Sequence, residues 1–87
     1  METVKRNIGM LMTGWRRGAG LSQAMLAEAI GTNQATVSKL EKGVNRLTVE
    51  QLLSVLDACG LSLRDVADDI SNAVGGEGKP IWERVDE

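Results

Sequence analysis

The sequence predicts an all-α protein, a compact bundle of five helices followed by a short C-terminal tail. Three observations carry this reading. Aromatic residues are nearly absent, with Trp15 and Trp82 but no Phe or Tyr, so the core must come from Leu, Val, Ile, Met and Ala, which suit helices better than strands. Apolar residues recur at helical spacing in five separate stretches. Each stretch is bounded by a start or a stop signal that has a physical reason.

In the first stretch Val4, Ile8, Leu11, Met12 and Trp15 make one apolar stripe, weakened by Gly9 and Gly14 and ended by Gly18-Ala19-Gly20. The second runs from about Gln23 to Ile30. Ser22 is its N-cap, Leu21 and Leu26 are spaced as a hydrophobic staple, Leu26, Ala27 and Ile30 face inward, and Gly31 stops it. Asn33 caps the third, Gln34 to about Lys42, which stops at Gly43. The fourth opens with Thr48 and Gln51 as a capping box, directs Leu52, Leu53, Leu56 and Cys59 inward, and ends at Gly60. Ser62 and Asp65 form a second capping box for the fifth, whose apolar face is Leu63, Val66, Ala67, Ile70 and Val74. Residues 1–74 therefore read as one folded unit. Residues 75–87 read as a Gly-rich break, Gly75–Gly78, and a tail with Ile81, Trp82 and Val85 among charges.

Composition excludes several kinds of chemistry. One cysteine and no histidine leave no disulfide framework and no zinc finger. Without histidine the commonest general base is missing, and no constellation supports an enzyme or a bound cofactor. Cys59 reads as a small core residue. Met10, Met12 and Met25 read as core rather than a binding stripe. Asp65, Asp68 and Asp69 match no calcium loop and read as an exposed helix face. No apolar run approaches the roughly 20 residues of a membrane span, and no signal peptide precedes the first helix, so a cytoplasmic protein without membrane contact is expected.

The net charge of −2 hides an asymmetry. Residues 1–47 hold seven basic and three acidic side chains, net +4, and residues 48–87 hold three basic and nine acidic, net −6. A basic face on an acidic body is the pattern of a chain that meets a polyanion.

Two short helices joined by a tight Gly-containing turn make a helix-turn-helix unit. Residues 21–43, LSQAMLAEAIGTNQATVSKLEKG, resemble the phage-repressor and Cro type of that unit, the XRE family. The resemblance rests on Leu21-Ser22-Gln23, Leu26-Ala27, Ile30-Gly31, Thr36-Val37-Ser38 and Leu40-Glu41-Lys42-Gly43. It continues through Leu47 and the fourth helix to Gly60-Leu61-Ser62-Leu63, over roughly residues 4–70. It implies a lambda-repressor-like bundle, with the third helix as recognition helix in the major groove of double-stranded DNA. It also implies a homodimer on two half-sites about one helical turn apart.

Geometry singles out the same helix. At 100° per residue Gln34, Ala35, Ser38, Lys39 and Lys42 share an arc of about 140°, opposite Asn33, Thr36, Val37 and Leu40. Gln34 suits bidentate bonding to adenine, Ala35 a thymine methyl, and Lys39 the guanine acceptors. Ser38 and Lys42 suit phosphate or sugar. By resemblance, Gln23 bonds a phosphate and braces Gln34, Asn33 touches the edge of the DNA, and Arg46 holds the backbone. By resemblance too, Arg16 and Glu41 form an ion pair between the first and third helices. Met25 departs from the family, which usually carries a polar or charged residue there.

The expected function is that of a sequence-specific transcriptional regulator, read as a repressor, whose dimer forms through the tail with Ile81, Trp82 and Val85. The alternative is an antitoxin or protein-interaction module on the same fold, regulated by a protein partner.

Overall fold

The structure, a computed structural model, describes residues 2–75. It has five α-helices: α1 Glu2–Gly18, α2 Gln23–Ala29, α3 Gln34–Glu41, α4 Val49–Ala58 and α5 Leu63–Ala73. Of the expected tail, all but Gly75 lies outside the described residues, including Ile81, Trp82 and Val85.

The caps form as their sequences require. Ser22 Oγ accepts from the amide of Met25 at 3.0 Å, and Asn33 Oδ1 accepts from that of Thr36 at 2.9 Å. Both capping boxes close: Thr48 exchanges bonds with Gln51, and Ser62 with Asp65. Each satisfies amides that the first turn of a helix would otherwise leave unpaired. The turn between α2 and α3 needs a left-handed residue, and Gly31 supplies it at φ +77°. The next amide, Thr32, then reaches back to the Ala27 carbonyl at 2.8 Å, which closes the end of α2.

The core is Met12, Leu26, Ala27, Val37, Leu40 and Val55, with Trp15, Leu21, Ile30, Leu47, Ala58 and Cys59 packed around it. Helix α1 lies across α3 and α5, and α2 lies across α3 and α4. Met12, Leu26, Val37 and Val55 are fully enclosed, and burying such a side chain stabilises by about 1.5–3 kcal/mol each.

Three expectations are corrected. In α4 the inward stripe is Leu52, Val55, Leu56 and Cys59, a strict i, i+3, i+4, i+7 set with Val55 and Leu56 buried and the outer two half-buried, and Leu53 lies off it and is exposed. In α5 only Val66 is buried, with Ile70 and Ala73 half-buried; Leu63, Ala67 and Val74 are exposed, because α5 lies against α1 alone among the closely packed helix pairs. Of the three methionines read as core, Met12 is enclosed, while Met10 and Met25 are exposed. Met25 thus occupies a solvent position, which is why it can replace a polar residue.

Gly9 is the other surprise. It is buried where α1 crosses the end of α3, and a Cβ there would sit 2.6 Å from the Leu40 carbonyl oxygen and still closer to that of Glu41. The glycine that weakens α1 as a helix is what lets α3 approach it.

Candidate nucleic-acid interface

Helix α3 is held from behind and left open in front. Val37 and Leu40 are buried, Thr36 is half-buried, and Gln34, Ala35, Lys39 and Lys42 face solvent with Ser38 half-covered beside them. This is the arc that the 100° step predicts. Asn33 is exposed at the start of α3, although its side-chain oxygen is occupied by the Thr36 amide. Arg46 is exposed in the loop after α3, and Gln23 is half-buried at the start of α2. The expected residues thus lie along α3 and the two segments flanking it in the fold.

An ion pair fixes the pose of α3. Arg16 Nε donates to Glu41 Oε2 at 2.7 Å and Arg16 Nη2 to Oε1 at 3.2 Å, a two-pronged contact with both side chains nearly enclosed. Arg16 Nη1 also donates to the Leu21 carbonyl at 2.9 Å, tying the segment before α2 to the same point. Burial is the largest influence on the Glu41 carboxyl and pushes its pKa up; the hydrogen bonds from Arg16, Gln23 and Thr13 and the Arg16 charge together outweigh it and hold the pKa below the ordinary value. The bond from Arg16 to Glu41 in turn raises the guanidinium pKa.

The bonds continue outward. Gln23 Nε2 donates to Glu41 Oε1 at 3.0 Å, and Gln34 Nε2 donates to Gln23 Oε1 at 3.4 Å. A chain of polar contacts therefore runs from the enclosed Arg16–Glu41 pair to the exposed face of α3. The Gln23–Gln34 contact has the geometry expected of a brace. The Gln23–Glu41 contact had no signal in the sequence, since it joins the start of α2 to the end of α3, 18 residues apart.

The other chemistry weighed in the sequence falls outside this face. Cys59 is half-buried beside the core, and burial raises its thiol pKa against the nearby Arg16 charge, so that the thiol is favoured over the thiolate. Asp65, Asp68 and Asp69 are exposed on α5, with Asp65 engaged in its capping box. Among the described residues no group of three or more His, Cys, Asp or Glu side chains is arranged to hold a metal ion. No helix among them is long and apolar enough to cross a membrane.

Comparison with known proteins gives this geometry relatives. A curated helix-turn-helix-type transcriptional regulator of Sinorhizobium fredii, y4aM, itself uncharacterised, is 35% identical over 77 residues, covering 84% of this chain and 52% of the relative. The chain thus spans about half the length of the curated relative it matches. Two crystal structures of the clp gene regulator ClgR from Corynebacterium glutamicum superpose with TM-scores of 0.73 and 0.72 at 28% identity. Each alignment covers 80% of this chain, and 74% and 90% of the respective ClgR chains. The helix-turn-helix family model matches residues 15–66, from the last turn of α1 to the buried Val66 of α5. With that match over more than half its length, the chain belongs to the helix-turn-helix family, of the XRE type.

Proposed function

We propose that this protein is a DNA-binding transcriptional regulator that places α3 in the major groove of duplex DNA and represses from there. The observation that carries the proposal is the front of α3. In a chain of this family, one helix face presents an amide, a methyl and two ammonium groups to solvent while its back is locked by an enclosed ion pair. A rigid helix with mixed donors and acceptors is what groove reading needs. A surface without a ligand has no such need.

The roles divide by chemistry. Gln34, Ala35 and Lys39 read base edges. Ser38, Lys42, Arg46, Gln23 and Asn33 hold phosphate or sugar and set the register. The regulators named above as relatives support transcription as the process. A single module of this size buries only about 600–1,000 Å² on DNA, so the protein acts as a homodimer on paired half-sites.

Selection of bound duplexes from a random library tests the proposal. One recurrent sequence is expected, with two-fold symmetry and half-sites about 10 base pairs apart. Its log K falls steeply against log salt, because each phosphate neutralised releases counterions. A library from which no sequence is enriched would overturn specific binding and favour a protein-interaction module on the same fold.

A further inference from the structure

The polar chain from Arg16 to Gln34 has a direction, and the direction has a consequence for base choice. The inference rests on the proposed role of Gln34 as a base reader. An ionised carboxylate accepts hydrogen bonds and donates none. Gln23 must therefore turn its amide nitrogen to Glu41, as it does at 3.0 Å. That orientation leaves Gln23 Oε1 facing α3, where it accepts from Gln34 Nε2 at 3.4 Å. One N–H of Gln34 is thereby used inside the protein. The other N–H and the amide oxygen remain for the groove, one donor and one acceptor side by side. Adenine offers the complement, an N7 acceptor beside an N6 donor.

We propose that Glu41 acts as a positioning residue for base recognition: through Gln23 it sets which way round the Gln34 amide is held, and so makes Gln34 read adenine. The polarity of the relay is reversible. In Glu41→Gln the oxygen of the introduced amide is the group that can accept from Arg16, which has only donors. That oxygen takes the place of Oε2 against Arg16 Nε, the shorter contact at 2.7 Å, and the nitrogen takes the place of Oε1, where it faces Gln23 and gives up the longer 3.2 Å contact from Arg16 Nη2. Gln23 turns its oxygen inward and its nitrogen outward, and Gln34 answers by turning its own oxygen towards Gln23. Both N–H groups of Gln34 now face the groove. Two adjacent donors match guanine, whose N7 and O6 both accept. The negative charge on Glu41 is thus read out, two residues away, as a choice between two purines.

The test uses the full chain and the duplex selected under the proposed function. Gln34→Ala first identifies the base pair whose preference it relaxes. Two duplexes that differ only there, A·T against G·C, are then titrated with each variant by fluorescence anisotropy. The unsubstituted protein is expected to favour adenine by about fivefold or more. Glu41→Gln is expected to bring that ratio to one or reverse it. A structural loss alone would weaken both duplexes equally. Gln23→Met keeps the side-chain length, removes the amide and leaves the ion pair untouched. It is expected to release Gln34 and bring the ratio near one, and adding Glu41→Gln to it should change the ratio no further. This second variant decides the matter if Glu41→Gln does not fold. If Gln34→Ala relaxes one base pair while Gln23→Met or a folded Glu41→Gln keeps the adenine preference, the relay is wrong and the groove reading stands. If Gln34→Ala relaxes no base pair, or the selected base is not adenine, the relay falls too, and in the first case the base-reading role falls with it.

Discussion

Arg16 and Glu41 are two charges that the fold takes out of water together. Removing one strands the other, so Arg16→Ala should lower unfolding free energy by about 3–5 kcal/mol, measured by urea denaturation. The same pair sets a pH dependence. The Glu41 carboxyl titrates lower in the folded chain than its ordinary value of 4.5, as Asp65 does relative to 3.8, lowered by its hydrogen bonds to the Ser62 backbone and hydroxyl. A depressed carboxylate contributes stability that is complete above the unfolded value and is lost as pH falls through the folded one. The denaturation midpoint should therefore hold steady near neutrality and drop below about pH 5, with a shallower drop in Glu41→Gln. On the exposed face the side chains should separate by what they touch. Gln34→Ala or Lys39→Ala is expected to cost about 1–3 kcal/mol of binding and to relax one or two base pairs. Lys42→Ala or Arg46→Ala should weaken all duplexes alike and reduce the salt slope by about one. Competition binding across a panel of single-base variants distinguishes the two patterns.

Helices α1 and α3 meet at a place where a glycine matters for space rather than for backbone freedom. Gly9→Ala adds helix propensity, yet its Cβ meets backbone carbonyls that cannot move without moving α3. Gly14 lies in the same helix with nothing within 4 Å of its Cβ position. Gly14→Ala should therefore stabilise by about 0.5–1 kcal/mol, and Gly9→Ala should destabilise despite the identical propensity gain. Thermal melts of the two variants check this. The pair also shows where sequence reading stops. Caps and stops are local, and Ser22, Asn33, Thr48 and Ser62 declared four of the helix starts without reference to the rest of the chain. The front of α3 was equally readable, since a fixed step of 100° separates Gln34 and Lys39 from Val37 and Leu40. Packing partners are not local. Gly9 and Gly14 look alike until α3 is laid over one of them. Leu53 and Val55 are both apolar and both near the stripe of α4, and packing against the core shows that only Val55 keeps it. Arg16 and Glu41 were paired through family resemblance alone, and the link from Glu41 to Gln23 needed the fold itself.

The charge map of the full chain, basic to residue 47 and acidic beyond it, places α3 in the basic half and α4 and α5 in the acidic half. The sequence expectation of a dimer through Ile81, Trp82 and Val85, which lie outside the described residues, has a direct test. Truncation after Gly75 is expected to yield a folded monomer in sedimentation, with single half-site affinity kept and two-half-site affinity lost. A truncated chain that remains dimeric would move the interface to the exposed apolar residues of α4 and α5, Leu53 and Leu63. Helix α5 itself has a further property. It contributes one enclosed side chain, Val66, and its end is tied to α1 by a bond from Asn7 Nδ2 to the Ala73 carbonyl at 3.1 Å. It encloses fewer side chains than α2, α3 or α4. Segments with few buried contacts open on their own, ahead of global unfolding. In native-state hydrogen exchange the α5 amides should accordingly turn over first, while those of α3 and α4 wait for the whole chain to unfold. Helix α3, held by its enclosed ion pair, and helix α5, held by one enclosed side chain, then live on different clocks.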